Sequence, residues 1–252
     1  MKEKLYTIPI NDAVNQNDEC PFCFIERKLE HDALDFVLGS AYMEPDFRDI
    51  TDEHGFCKNH YKEMFQYGNA LGNALMLKTY YLKLNKELDK QLKSYSPAKL
   101  SFKQKLKSSK ETVSSPLTDW IKAKDCDCYI CSYINEYYEQ YMNTFLYLLK
   151  NDNEFFEKIK NSKGFCLHHF GSLTEHAEVK LNDKEKEKYM PVLFDVMKKN
   201  MQRMFDDISW FVDKFDYRNK DADWKTSKDA VQRGMQKLVG SYIADEPYKK
   251  NQ

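Results

Sequence analysis

Glycine and proline are scarce in this chain, at eight and seven of 252 residues. That scarcity excludes a fold cut into many short, turn-linked elements, and with abundant Lys, Glu and Leu it leaves long helices as the natural architecture. No run approaches the ~18–20 apolar residues of a membrane span, and Met1-Lys2-Glu3-Lys4-Leu5 lacks the apolar centre of a signal peptide, so a cytoplasmic, membrane-free protein is expected. Charge of one sign is also missing: 39 basic and 40 acidic residues give a net charge of −1, which provides no global field for nucleic acid. A glycine-rich phosphate loop, a nucleophile elbow and an H-E-x-x-H pair are absent, so the sequence offers no catalytic motif and no named small-molecule ligand.

What is present is a half-motif that occurs twice. Cys20-Pro21-Phe22-Cys23 precedes Gly55-Phe56-Cys57-Lys58-Asn59-His60, and Cys128-Tyr129-Ile130-Cys131 precedes Gly164-Phe165-Cys166-Leu167-His168-His169. The register extends further, since Phe47, Ile50 and Gly55 match Phe156, Ile159 and Gly164. Read in chain order, the motifs make two sets of three thiols and one imidazole: Cys20, Cys23, Cys57 and His60, then Cys128, Cys131, Cys166 and His169. Three sulfurs and one nitrogen are the donor set of a closed tetrahedral metal site, and seven cysteines, an odd number, in such groupings point to metal over disulfides.

A C-x2-C turn directs two sulfurs at one ion. A Cys and a His three positions apart on a helix share a face, and a cysteine in the first turn sits at the positive end of the helix dipole, which favours thiolate. The glycine before each C-x2-H pair allows a sharp turn into that helix. The knuckle followed by ligands at a helix start resembles a treble-clef zinc site. Two zinc ions are the expected cofactors, with an iron–sulfur cluster as the alternative. Cys126, close to the second set, reads first as a free cysteine without a role, the alternatives being a substitute ligand or a thiol that responds to oxidation.

Hydrophobic spacing predicts an irregular lead-in over residues 1–19 and helices over about 24–41, 57–93, 132–150, 183–215 and 227–239. Pro191 either kinks the fourth or marks its start. Gly68 and Gly72, one turn apart, suggest a tight helix crossing. Serines, Pro97, Pro116 and five lysines mark a linker over 94–118. Tyr133, Tyr137, Tyr138, Tyr141 and Tyr147 read as core and boundary residues, and the last ten residues as frayed. The expected organisation is therefore all-α: a first metal module at 1–93, the linker at 94–118, a second module at 119–182, and a helical region at 183–252 that packs on both.

With these motifs in view, the chain resembles a bacterial family of unknown function widespread among Firmicutes of the gut. The resemblance also rests on Trp210-Phe211-Val212-Asp213-Lys214-Phe215-Asp216-Tyr217-Arg218, on Trp224, and on Asp229-Ala230-Val231-Gln232-Arg233. Where the family has Pro-Trp-Gly, this chain has Asp223-Trp224-Lys225. The resemblance implies no reaction. It implies a second feature made by Asp216, Tyr217, Arg218, Trp224, Asp229 and Arg233, either a polar pocket or a salt-bridged clasp. The function expected from all of this is a non-catalytic, metal-stabilised binding or regulatory scaffold for a protein partner, the alternative being a redox protein.

Overall fold

The computed structural model describes residues 6–97 and 114–240, and among them the chain is all-α, with no strand. Its α-helices are α1 (Thr7–Asn15), α2 (Pro21–Gly39), α3 (Pro45–His54), α4 (Lys58–Tyr67), α5 (Ala70–Ser94), α6 (Pro116–Cys126), α7 (Tyr129–Asn151), α8 (Asn153–Lys160), α9 (Leu167–Lys180), α10 (Asp183–Asp213) and α11 (Ala230–Val239). Short 3₁₀ turns occupy Ala41–Met43 and Tyr217–Asn219. Among the described residues, no helix is long and apolar enough to cross a membrane.

Local chemistry explains where the helices begin and end. α2 starts at Pro21, whose fixed φ suits the first helical position and whose missing N–H would have no partner there. The C-x2-C groups therefore lie in the first turns of α2 and α7, not in knuckles ahead of helices beginning near residues 24 and 132, and the treble-clef likeness is lost. The single helix expected over 57–93 is broken in two. Gly68 ends α4 in the left-handed conformation, and the Asn69 side chain caps α5 by accepting from the Gly72 amide at 2.8 Å. Gly68 thus stops one helix, and the Gly72 amide takes part in the cap of the next. α10 runs through Pro191 and takes its start from a capping box in which Asn182 and Glu185 exchange side-chain and backbone bonds.

Two helices occupy segments expected to be irregular or a linker. α1 buries Ile10 and Ala13 within the segment expected to be irregular. α6 begins inside the expected linker, where Ser115 and Thr118 form a second capping box on either side of Pro116. The centre of that linker, residues 98–113, and the end expected to fray lie outside the described residues.

The chain divides into two compact units, one of residues 1–30 with 135–246 and one containing 31–134, so the divisions fall within α2 and α7 instead of at the linker. In the first unit, Phe22 packs on Phe145, Tyr138 and Phe165 at ring separations of 5.2, 5.7 and 5.9 Å, and α8 presents Phe155 and Ile159 to the interior. The tyrosines of α7 behave as boundary residues: Tyr141 is buried edge-on to Tyr6, whereas Tyr147 is partly exposed. In the second unit, Leu34, Val37, Leu38, Met64 and Met76 form a core with Cys128 and Ile130. The sequence match Phe47/Ile50 to Phe156/Ile159 does not carry over to burial, because Ile50 is 51% exposed and Ile159 is 0% exposed.

Gly55 and Gly164 both have positive φ, +68° and +75°, as the turn into the C-x2-H helix requires. A Cβ on Gly55 would lie 2.8 Å from the Tyr80 hydroxyl. Gly55→Ala is expected to destabilise the second unit by about 1–3 kcal/mol, the usual cost of a residue held in a glycine-only backbone region. A urea midpoint equal to wild type would refute this.

Candidate metal centres

All eight predicted ligands converge, in combinations different from those of chain order. The first unit brings together Cys20, Cys23, Cys166 and His169, and the second brings together Cys57, His60, Cys128 and Cys131. Each C-x2-C pair meets the C-x2-H pair of the other copy. The expected sets, Cys20 and Cys23 with Cys57 and His60 and Cys128 and Cys131 with Cys166 and His169, are corrected accordingly.

Both sets bring four donor atoms within 4.8 Å of one another, compact enough for one ion. A central ion with metal–sulfur bonds of about 2.3 Å and metal–nitrogen bonds of about 2.0–2.1 Å places sulfurs roughly 3.8 Å from one another and roughly 3.5 Å from the nitrogen. In the first set, Cys23 and Cys166 Sγ are 3.8 Å apart, and His169 Nδ1 lies 3.5, 3.4 and 3.2 Å from the sulfurs of Cys20, Cys23 and Cys166. In the second, Cys57 and Cys131 Sγ are 3.9 Å apart, and His60 Nδ1 lies 3.3, 3.1 and 3.4 Å from Cys57, Cys128 and Cys131. These separations are far beyond a disulfide bond of about 2.05 Å. Every cysteine is a free thiol.

Two helix starts face each set. Cys166 is the N-cap of α9, its sulfur accepting from the His169 amide at 3.3 Å, and Cys20 immediately precedes α2. Cys57 is the N-cap of α4, and Cys128 immediately precedes α7. Paired helix N-termini favour thiolates. Burial pushes the Cys128 thiol up, but the His60 ring and nearby backbone amides outweigh it and bring it down to about 6. The Cys20 and Cys23 thiols hold the Cys166 sulfur well below the ordinary thiol range, while Cys166 pushes the Cys23 thiol far up. Burial alone would lower His169, yet Cys166, Cys20 and Glu26 raise it to about 12. Several sulfurs crowded together cannot all ionise without a cation among them, so an ion that binds must displace protons.

The surroundings fix the ligand orientation. Glu26 Oε2 lies 3.3 Å from His169 Nε2, which directs Nδ1 toward the sulfurs, and Tyr138 packs 5.3 Å from the same ring. His168, the neighbouring imidazole, stays exposed and outside the donor set. His54 pairs with Asp127 at 2.9 Å, and His176 faces Glu139 at 3.3 Å. Cys126 is exposed and belongs to neither set.

Gly240 was missed. It ends α11 with φ +87°, its carbonyl oxygen lies 2.7 Å from Cys23 Sγ, and a Cβ there would come 3.3 Å from Cys166 Sγ. Its sequence signal was ordinary, a glycine after a helix.

The C-terminal feature resolves into separate parts. Arg233 belongs to a buried clasp: its guanidinium contacts Asp229 and Asp207 at 2.9 Å and Glu19 at 3.3 Å, and it donates to the Thr226 carbonyl. Glu19, 2% exposed, also takes Arg203 at 2.5 Å and Lys237 at 3.1 Å. Burial raises the Glu19 carboxyl, but Arg203 and Lys237 prevail and hold it below the ordinary range. Burial lowers the Lys237 ammonium with Glu19 acting against it, and three surrounding oxygens favour the charged form. Lys237 donates to the carbonyls of Glu19 and Lys163, and so ties the strand of chain entering Cys20 to the one entering Cys166.

Asp216 and Arg218 form an exposed local pair instead, and Tyr217 is 86% exposed. Trp224 packs on Phe211 at 5.6 Å, where Lys214 holds the turn by donating to the carbonyls of Asn219, Lys220 and Ala222. Lys225, at the position where glycine is expected, adopts φ +53° and lies over the Trp210 ring at 4.6 Å. The expected clasp is realised by Asp229 and Arg233, while Asp216, Tyr217, Arg218 and Trp224 stand apart from it.

Comparison with protein families matches residues 1–245 to one described as "Family of unknown function (DUF6062)". The chain belongs to this family. No curated protein and no solved structure matches it. Family membership therefore brings no named reaction, and the donor geometry carries the functional argument.

Proposed function

We propose that the chain is a two-zinc protein with a non-catalytic role, in which each ion staples two helix starts, and that it serves as a binding or regulatory scaffold in the cytoplasm. One observation carries this reading: each set brings four protein donors within 4.8 Å of one another, the full complement of a closed tetrahedral site, which would leave no position for an activated water or a substrate. Cys57 with His60 and Cys166 with His169 gain nothing as nucleophile and base, because each imidazole is shared with two further sulfurs. Donor atoms within 4.8 Å of one another suit a single ion, whereas a multi-iron cluster interposes iron and sulfide and spreads its thiolates. For the partner, a protein is favoured by the exposed Val212, Phe215 and Tyr217 at the end of α10 and the turn after it.

Elemental analysis of protein isolated without added metal tests both the metal and the pairing. Wild type is expected to carry two zinc ions per chain. Cys20→Ser combined with Cys166→Ser should retain one ion, as should Cys57→Ser combined with Cys128→Ser, while Cys20→Ser combined with Cys57→Ser should retain none. Pairing in chain order would instead leave one ion in the last variant and none in the first two. Stoichiometric iron and sulfide would overturn the zinc assignment.

A further inference from the structure

The two donor sets share their chemistry but differ in exposure. In the first unit, Cys20, Cys166 and His169 are 0% exposed and Cys23 is 1% exposed. In the second, Cys128 and His60 are buried, but Cys57 and Cys131 are only half-buried. These two half-buried cysteines are also neighbours, with Sγ atoms 3.9 Å apart, and they come from different segments, the N-cap of α4 and the first turn of α7.

We propose that Cys57 and Cys131 form an oxidation site for hydroperoxides, at which the pair closes to a disulfide and releases the ion of the second unit while the first unit keeps its own. The inference rests on the zinc reading above. One thiolate attacks the terminal peroxide oxygen, the O–O bond breaks, and the leaving oxygen takes a proton to depart as water or an alcohol. The resulting sulfenic acid is attacked by the second thiolate. The S–S bond forms, the S–O bond breaks, and the departing hydroxide takes a second proton to leave as water. With hydrogen peroxide, two thiolates, one peroxide and two protons give one disulfide and two waters, the sulfurs losing the two electrons that the peroxide gains. The ion keeps its charge throughout. It is left with Cys128 and His60, two of the four donors that a closed site requires.

Burial decides the selectivity, since oxidation follows thiolate character together with access. In the first unit, Gly240 lies against Cys23 and Cys166, and Phe22 and Tyr138 pack beside His169. In the second unit, Cys57 and Cys131 keep partial exposure. Cys126, exposed two positions before Cys128, is the competing thiol, and the 3.9 Å separation favours the Cys57–Cys131 pair.

The test uses the full-length chain, its zinc content first measured, then titrated with hydrogen peroxide in the presence of a zinc-binding dye and mapped for disulfides by mass spectrometry. The expected result is release of one zinc per chain, a Cys57–Cys131 disulfide, recovery on adding reductant and zinc, and the same behaviour in Cys126→Ser. A two-zinc protein that releases neither ion or both together, or that forms a disulfide through Cys126, overturns this proposal and leaves the zinc reading standing. A protein isolated with no zinc overturns both.

Discussion

Cys166→Ser is expected to lose the ion of the first unit and to lower the melting temperature by roughly 8–16 °C, from the loss of about 4 kcal/mol at roughly 2–4 °C per kcal/mol in a chain of this size. Structural zinc contributes apparent binding energies of about 10–16 kcal/mol in small zinc-dependent peptides, and a hydrophobic core such as this one makes folding only partly dependent on it. Cys166 is the ligand to remove because it does several jobs at once: it is fully buried, caps α9, and abuts Gly240 at the end of α11. Its loss therefore removes a donor, a helix cap and a packing surface. Thermal unfolding followed by circular dichroism at saturating zinc would show it. A transition within a degree or two of wild type would mean that the cluster contributes nothing to folding.

The sequence made the converging Cys and His residues legible but not their pairing. Cysteine and histidine type and spacing report which residues can hold an ion, because a helical turn brings positions three apart onto one face. Pairing depends on where the intervening helices carry the chain. α2, with 19 residues, moves it about 28 Å from Cys20 at 1.5 Å per residue, whereas the ten residues of α3 span only about 15 Å. α7 and α8 repeat that imbalance with 23 and 8 residues, about 34 and 12 Å. Two similar segments in tandem suggest two modules in tandem, yet two long helices that each begin at a half-motif separate the halves of each copy.

Helix boundaries were legible where a strong hydrophobic stripe marks them, as along α10. They were obscure where tertiary burial rescues a weak pattern, as in α1, or where one left-handed glycine divides a continuous stripe, as at Gly68. The clasp was half legible. Asp229 and Arg233 announce themselves as an i, i+4 pair, but Glu19 lies more than 200 positions away in the sequence, and Lys237 resembles any solvated lysine at a helix C-terminus.

Lys237→Met should be the most damaging substitution outside the ligands, lowering stability by about 3–5 kcal/mol, the usual cost of breaking a buried ion pair by removing one partner. Methionine fills much of the lysine's volume, so the loss isolates the ammonium's role. The buried Glu19 carbonyl would be left without this donor, at about 1–3 kcal/mol, and the part-buried Lys163 carbonyl would lose it too. Arg203 and Arg233 would still face the Glu19 carboxylate, which keeps the total from rising further. Arg218→Ala, which removes the exposed partner of Asp216, should leave the urea midpoint where it is. The two substitutions thus separate a clasp that holds both arms of the first metal centre from a surface pair, and equal midpoints for the two variants would refute the distinction. Because Lys237 ties the segments that lead into Cys20 and Cys166, its loss should also speed zinc removal by a chelator from the first unit and leave removal from the second unchanged.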